Sequence, residues 1–211
     1  GFGVLNKLNL IFEGSLGYFG VGSIDGPMVR VNGRVGWSCA ENMMAGKVVI
    51  EKKVMQRKNS VSLRLATVFG VAPRMRIDLL VNDFVYKSYF DGYLVLFEPH
   101  FKRNYIHIRD IANVFIHGLH NYKQMNGQPY NVGLSDANLS KIELCERIKL
   151  QIPDFYFFGS DLSSDPDKRD YIVSNKKIEA TGWQPRYSID DGIRELKNLY
   201  NWFKTSNLSN I

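Results

Sequence analysis

Apolar residues recur along this chain in two rhythms, and the switches between them mark its elements. The first apolar run, LNLIF from Leu8 to Phe12, is short and ends in a glycine-rich turn, which predicts a strand. From Ser23 to Asn42 glycine, proline and polar residues break every period, and a loop is expected. Met43, Lys47, Ile50 and Val54 then recur at spacings that predict a helix from about Met43 to Arg57, with these four on one face. Lys47 is the odd member of that face, because a buried ammonium group needs a partner. VSLRLATVFG, from Val61 to Gly70, is β-branched and apolar, as in a strand covered on both sides. A strand, a helix and a second buried strand predict a parallel α/β sheet.

Beyond Pro73, IDLLVNDFVYKSYF reads as a helix and Tyr105 to Ile108 as a short strand. Asp110 is a natural N-cap for a helix that carries Ile111, Val114, Phe115 and Leu119 on one face. Tyr130 to Val132 predicts another strand. Ser140 and Glu143 have the spacing of a capping box, with Leu139 as its hydrophobic staple, and that helix stops before Pro153. Asn175 to Thr181 is expected as a short helix closed by Gly182. The last helix, near Ile189 to Phe203, turns Ile189, Ile193, Leu196 and Tyr200 inward.

Composition narrows the class. A length of 211 residues allows one ordinary domain or two small lobes, and 45% hydrophobic with 23% charged residues excludes wholesale disorder. No apolar run approaches the roughly 18 residues of a membrane span. The opening GFGVLNKLNLIFEGS has no charged start, long apolar stretch or cleavage site of a secretory leader. Cys39 and Cys145 lie far apart and outside any CxxC pair, as expected of a cytoplasmic thiol protein. The net charge of +6 is scattered in pairs such as Lys52–Lys53 and Lys102–Arg103, so neither nucleic acid nor a membrane is an expected partner.

Three groups of residues carry candidate chemistry. Gly14, Gly17 and Gly20 follow the first strand, as glycines do where a backbone approaches a pyrophosphate. That reading needs a helix next, and VGSIDGPMVRVNG does not supply three turns of one, so a plain loop at the strand's end is the preferred alternative. His117 and His120 share a helix face, but no Cys, Asp or Glu cluster completes a tetrahedral set and no metal is expected. Arg103 in HFKRNYIHIRD and Arg169 in DPDKRDYIVSN each precede a short strand. Two convergent guanidinium forks would hold a diphosphate, while salt bridges to Asp110, Asp167 or Asp170 are the competing reading.

From Lys47 onward the ordered run KVVIEKKV, SLRLATVFGVAPRMR, KRNYIHIRD, PYNVGLSDANLSK and DPDKRDYIVSNKKIEATGWQP resembles the NAD-dependent epimerase/dehydratase family, the extended short-chain dehydrogenases that act on nucleotide sugars. Within that family it is most similar to bacterial GDP-heptose 4-dehydrogenases of capsule-sugar pathways. The resemblance implies hydride transfer from a sugar carbon, C4, to NAD. It implies that Lys47 is the lysine of the family's YxxxK helix, which reaches the nicotinamide ribose and lowers the pKa of a tyrosine base. It assigns Arg103 and Arg169 to the diphosphate, Arg74 and Arg76 to diphosphate or sugar, and Thr67 and Val68 to the nicotinamide pocket.

Two departures accompany it. The tyrosine position falls on Met43, whose thioether cannot exchange a proton. The turn after the first strand, EGSLGYFGVG, has Gly14 where the family has a hydroxyl, with Ser15 one residue later as the substitute. The family also has a longer stretch before this strand, with a glycine fingerprint and an acidic ribose ligand. The expected fold is therefore α/β, an incomplete Rossmann-type parallel sheet with a smaller C-terminal α/β substrate-binding lobe. Residues 1–70 would form the latter part of the NAD-binding domain and 71–211 mainly the nucleotide-sugar lobe, with segments near 105–133 returning to the first. The expected partners are a nucleotide sugar and a second copy in a homodimer. A non-catalytic nucleotide-sugar-binding protein and a damaged or mis-framed gene product are the other readings.

Overall fold

A computed structural model describes residues 9–12, 28–31, 47–49, 59–160 and 169–202. The chain divides into two compact units, the first spanning residues 1–62, 126–128 and 166–168 and the second the rest. In the first unit, β1 (Asn9–Phe12), β2 (Met28–Val31) and β3 (Lys47–Val49) form a parallel sheet in that order. Its register sets Asn9 beside Met28 and Met28 beside Lys47.

Strand β1 stands where the sequence predicts it, but β2 and β3 correct two expectations. MVRV makes a strand inside the stretch read as loop. Lys47 opens a strand instead of sitting in a helix from Met43 to Arg57. The reason is local. Val48, Val49 and Ile50 are β-branched and lose rotamer freedom in a helix, and Gly46 before them costs about 1 kcal/mol in a helix interior. Gly14, Ser15, Gly17, Gly20 and Met43 lie outside the described residues.

The remaining strands are β4 (Ser62–Leu65), β5 (Thr67–Phe69), β6 (Tyr93–Leu96), β7 (Lys102–His107), β8 (Pro129–Val132), β9 (Asn138–Ser140) and β10 (Tyr156–Gly159). Among the described residues the helices are α1 (Leu80–Phe90), α2 (Ile108–His120), α3 (Tyr122–Met125), α4 (Lys141–Gln151), α5 (Lys176–Glu179) and α6 (Ile189–Trp202). The expected strand over Val61 to Gly70 breaks at Ala66. Its first half pairs with β8 and its second with β7, so Leu65 is left 40% exposed. Strand β7 is the pivot of a β5–β7–β9 sheet: Lys102 to Asn104 run antiparallel to β9, and Tyr105 to His107 run parallel to β5.

The core of the second unit is the layer between these strands and helices α1, α4 and α6. Phe69, Val81, Phe84, Val85, Leu144, Ile148, Ile193 and Leu196 are buried there in one cluster. Helix α6 follows its sequence pattern, with Ile189, Ile193, Leu196 and Tyr200 all buried. It opens on a second capping box, in which Ser188 Oγ accepts from Asp191 N at 3.1 Å and Asp191 Oδ2 accepts from Ser188 N at 3.0 Å. The box at Ser140 and Glu143 forms as expected, through bonds of 3.2 and 2.7 Å. Gly182 closes α5's turn at φ +88°, where a side chain would be strained.

Helix α2 departs from expectation in two ways. Its N-cap is His107, whose Nδ1 accepts from Arg109 N at 3.2 Å, and Asp110 sits in its first turn instead. Ile111, Val114 and Gly118 face inward, while Phe115 and Leu119 are 52% and 76% exposed. The helix carries more apolar surface than its neighbours in the unit cover. Among the described residues no helix is long and apolar enough to cross a membrane.

Candidate functional site

The site begins with Arg103, the second residue of β7. Alternation along the strand sends Arg103, Tyr105 and His107 to one side and Asn104 and Ile106 to the other. Arg103 is only 2% exposed, an unusual position for a guanidinium. Its guanidinium carbon lies 5.8 Å from the centre of the Tyr171 ring, within cation–π range.

Tyr171 reaches that place because residues 170–174 are laced along β7 and β9. Lys102 N donates to Asp170 Oδ1 at 2.8 Å, and Tyr171 N donates to Lys102 O at 3.1 Å. Asn138 grips Val173 at both ends, accepting from its N at 2.9 Å and donating to its O at 3.1 Å. Asn131 Nδ2 donates to Ser174 O at 3.2 Å. Arg169, exposed, therefore precedes a residue tied to Lys102, which itself precedes Arg103. The segments that carry Arg103 and Arg169 thus run side by side.

Two of the three competing carboxylates bond main-chain amides. Asp110, fully buried, accepts from Arg186 N and Tyr187 N, each at 3.0 Å. Asp170 serves Lys102 N, and Asp167 lies outside the described residues.

Below the arginine, Tyr105 is fully buried. Burial drives its phenol well above the usual range, partly opposed by the Arg103 charge. Its hydroxyl and Asn175 Oδ1 are buried with no hydrogen-bond partner among the described residues, a state that native proteins usually relieve with water or ligand. On the other side, Asn104 Nδ2 donates to Leu134 O at 2.6 Å and Asn138 Oδ1 at 3.2 Å, fixing the loop that holds Asn138. Gly133 is required there, because a Cβ would collide with the Asn104 side chain.

The other expected site residues fare differently. Thr67 and Val68 lie half-buried on β5, in register with Tyr105 and Ile106, and so flank the Arg103 strand. Arg76 forks onto Asp78, with Nε to Oδ1 at 2.7 Å and Nη2 to Oδ2 at 2.5 Å, and this pairing holds the Asp78 carboxyl below its ordinary range. Arg74 is exposed in the same loop. Lys47 stands on β3 in the first unit, and Ser15 lies outside the described residues. His117 bonds Thr181 Oγ1 at 2.8 Å. Thr67 and Val68 could border a nicotinamide. Among the described residues, however, no glycine-rich turn joins a parallel strand directly to a helix to receive a pyrophosphate, so no chemical step through NAD follows from this geometry.

Tyr171, Asn138, Asn175 and Tyr105 were not picked out from sequence. Tyr171 had a signal, since alternation two residues after Arg169 places it on the arginine's side. The asparagines had none, because their partners lie 34 or more residues away.

No family model matches the chain. It is 27% identical over 105 residues to the CDP-paratose 2-epimerase of Salmonella typhi, covering 47% of this chain and 29% of that protein. Among solved structures it resembles the UDP-glucuronic acid 4-epimerase of Bacillus cereus, in complex with UDP-glucuronic acid and NAD. That match has a TM-score of 0.56 and 23% identity, over 66% of this chain and 46% of the other. The dTDP-glucose 4,6-dehydratase of Bacillus anthracis, in complex with NAD, matches with a TM-score of 0.50 and 21% identity, over 66% and 44%. The chain thus spans less than half the length of these proteins. It shares the mixed α/β, Rossmann-like fold of these solved structures.

Proposed function

We propose that this chain recognises a nucleotide sugar, Arg103 and Arg169 holding its diphosphate, as part of an NAD-dependent epimerase, dehydratase or dehydrogenase. The observation that carries the reading is the lacing of residues 170–174 onto β7, which brings both arginine-bearing segments to one end of that strand. Tyr171 shields one face of the Arg103 guanidinium, and a cation held away from water attracts phosphate more strongly. Arg169, on the surface, would close over the same anion. The unsatisfied Tyr105 hydroxyl and Asn175 Oδ1 add buried polar capacity close by.

The finer reading is a GDP-sugar, GDP-heptose in kind, oxidised at C4, and it rests on the motif resemblance. NAD would accept the hydride. Thr67 and Val68 would border its nicotinamide, Lys47 its ribose, Ser15 the reacting hydroxyl, and Arg74 and Arg76 the substrate's outer part. The Arg76–Asp78 fork favours a structural share for Arg76. Met43 at the position of the tyrosine base favours a second reading, binding without turnover. Loss of a general base costs about two to four orders of magnitude in rate. Mixing the chain with NAD and GDP-sugars should therefore give no NADH at the ~1 per second or faster usual for enzymes; formation at that rate would defeat the second reading.

Calorimetric titration with GDP and GDP-mannose tests the binding reading. Arg169→Ala should weaken binding by about 1.5–3 kcal/mol, the range for hydrogen bonds to charged groups, with melting unchanged because Arg169 is exposed. Arg103→Ala should lose both binding and thermal stability, and the pair should depart from additivity because they share one ligand. Unchanged affinity in Arg169→Ala would leave only the salt-bridge reading.

A further inference from the structure

The chain enters β7 through a strained turn. Phe101 N donates to Glu98 O at 3.2 Å, closing residues 98–101 just before Lys102. Glu98 has φ +48°, and among the described residues no other non-glycine residue has a positive φ. That region is costly for a residue with a side chain, and Pro99, next in sequence, pushes its predecessor toward extended backbone. Glycine would take this φ freely. The turn is nonetheless clamped. Lys141, 2% exposed, donates from Nζ to Phe97 O at 2.5 Å, and Ile142 N donates to Pro99 O at 3.1 Å. Both clamps come from the first turn of α4, whose N-cap Ser140 lies beside Lys102 in the β7–β9 register.

What the turn offers is a carboxylate and aromatic surface. Among the described residues the half-buried Glu98 side chain has no hydrogen bond or ion pair. His100, exposed, and Phe101, half-buried, lie in edge contact with ring centres 5.1 Å apart. Turn and arginine share one end of β7. With the turn under about 7 Å across and two further residues of extended chain, Glu98 Cα lies within about 14 Å of Arg103 Cα. An extended nucleoside diphosphate held at its phosphates by Arg103 can carry its base to Glu98.

Resting on the diphosphate reading, we propose that Glu98 selects the base of the bound nucleotide, its carboxylate accepting from N1–H and the N2 amino group of guanine. The donor pattern of the bases decides. An ionised carboxylate only accepts, and its two oxygens form a fork. Guanine alone presents two adjacent donors on its Watson–Crick edge, which that fork matches. Uracil and thymine present one N–H between two carbonyl oxygens, so one carboxylate oxygen would meet a like charge. Cytosine and adenine set a bare ring nitrogen, itself an acceptor, beside their amino group. His100 and Phe101 supply the kind of ring surface on which an unstacked base rests while its edge is read. The clamped turn holds the carboxylate ready, so little freedom is lost on binding.

Calorimetric titration of the full chain with GDP, inosine diphosphate and UDP, repeated with Glu98→Gln, tests this. Inosine diphosphate keeps N1–H and lacks the N2 amino group. The parent should bind GDP about 10-fold or more tighter than UDP, and inosine diphosphate less tightly than GDP, as the loss of charge-assisted bonds requires. Glu98→Gln should lower GDP affinity by about 10-fold and bring GDP and inosine diphosphate together. UDP affinity and the melting temperature should stay as in the parent. Equal binding of GDP and UDP by the parent, or of GDP and inosine diphosphate, would overturn the assignment and leave the diphosphate site standing. So would an equal loss of GDP and UDP affinity in Glu98→Gln. A folded parent that binds none of the three would defeat both readings together.

Discussion

Asp110 binds amides of residues 76 and 77 positions away, and a carboxylate so placed acts as a tether more than as a cap. Asp110→Ala would leave the Arg186 and Tyr187 amides without it and should lower stability by about 2–4 kcal/mol, on the scale of hydrogen bonds to a charged group. Urea unfolding should show a lower midpoint at unchanged slope. The sequence showed an acid at a helix start and invited the cap reading. It did not show that the imidazole of His107 already fills the cap, because the competition between the two is settled by Tyr187, stacked on that ring at 4.5 Å, and by Glu195, 2.8 Å from its Nε2. Glu143, by contrast, does what its spacing predicts. The Ser140 amide, then the Ser140 hydroxyl, hold its carboxyl below the ordinary value. A depressed folded-state value means that this stabilisation is complete above the unfolded carboxylate range and is lost as pH falls through the depressed one. Glu143→Gln should therefore flatten part of the acid limb of a stability–pH curve; an acid limb identical to the parent's would contradict the capping account.

At the scale of elements, legibility followed the range of the signal. The capping box at Ser140 and Glu143 and the inner face of α6 are written within one or two turns, and they form as the sequence predicts. Where one run of residues fits two periods, the pattern alone does not decide between helix and strand. Met43, Lys47, Ile50 and Val54 match a helix, yet the β-branched residues that fill the spacing match the strand found at Lys47–Val49. Strands β6 and β10 went unread because each consists of four residues whose meaning lies in its partner. The apolar face of α2 was read too wide. Val114→Ala should cost about 2–3 kcal/mol, as for other buried large-to-small changes, whereas Leu119→Ala should stay within about 0.5 kcal/mol. Equal losses in thermal melts would return Leu119 to the core. Gly192 tests the packing of α6 on β5, since a Cβ there would lie 2.5 Å from Phe69 Cδ2. Gly192→Ala should destabilise by about 1–3 kcal/mol through overpacking, despite a gain of roughly 1 kcal/mol in helix propensity.

In the molecule as a whole, the candidate site gathers residues 103, 105, 138, 171 and 175, which no single segment could display. What the sequence offered was two arginine-bearing motifs and the order in which they occur. What it withheld was the asparagine lacing that brings them together, because such contacts depend on β7 lying between β5 and β9. In the proposed function this arrangement holds a nucleoside diphosphate. Its most direct test is isothermal titration of the folded chain with GDP, UDP and their sugar conjugates, repeated with Arg169→Ala. The account predicts measurable binding by the parent chain and a loss of about 10-fold or more on removing this one exposed guanidinium, as expected for a charge-assisted contact. A folded parent chain that binds none of these ligands, or an Arg169→Ala variant that binds them equally well, would contradict it.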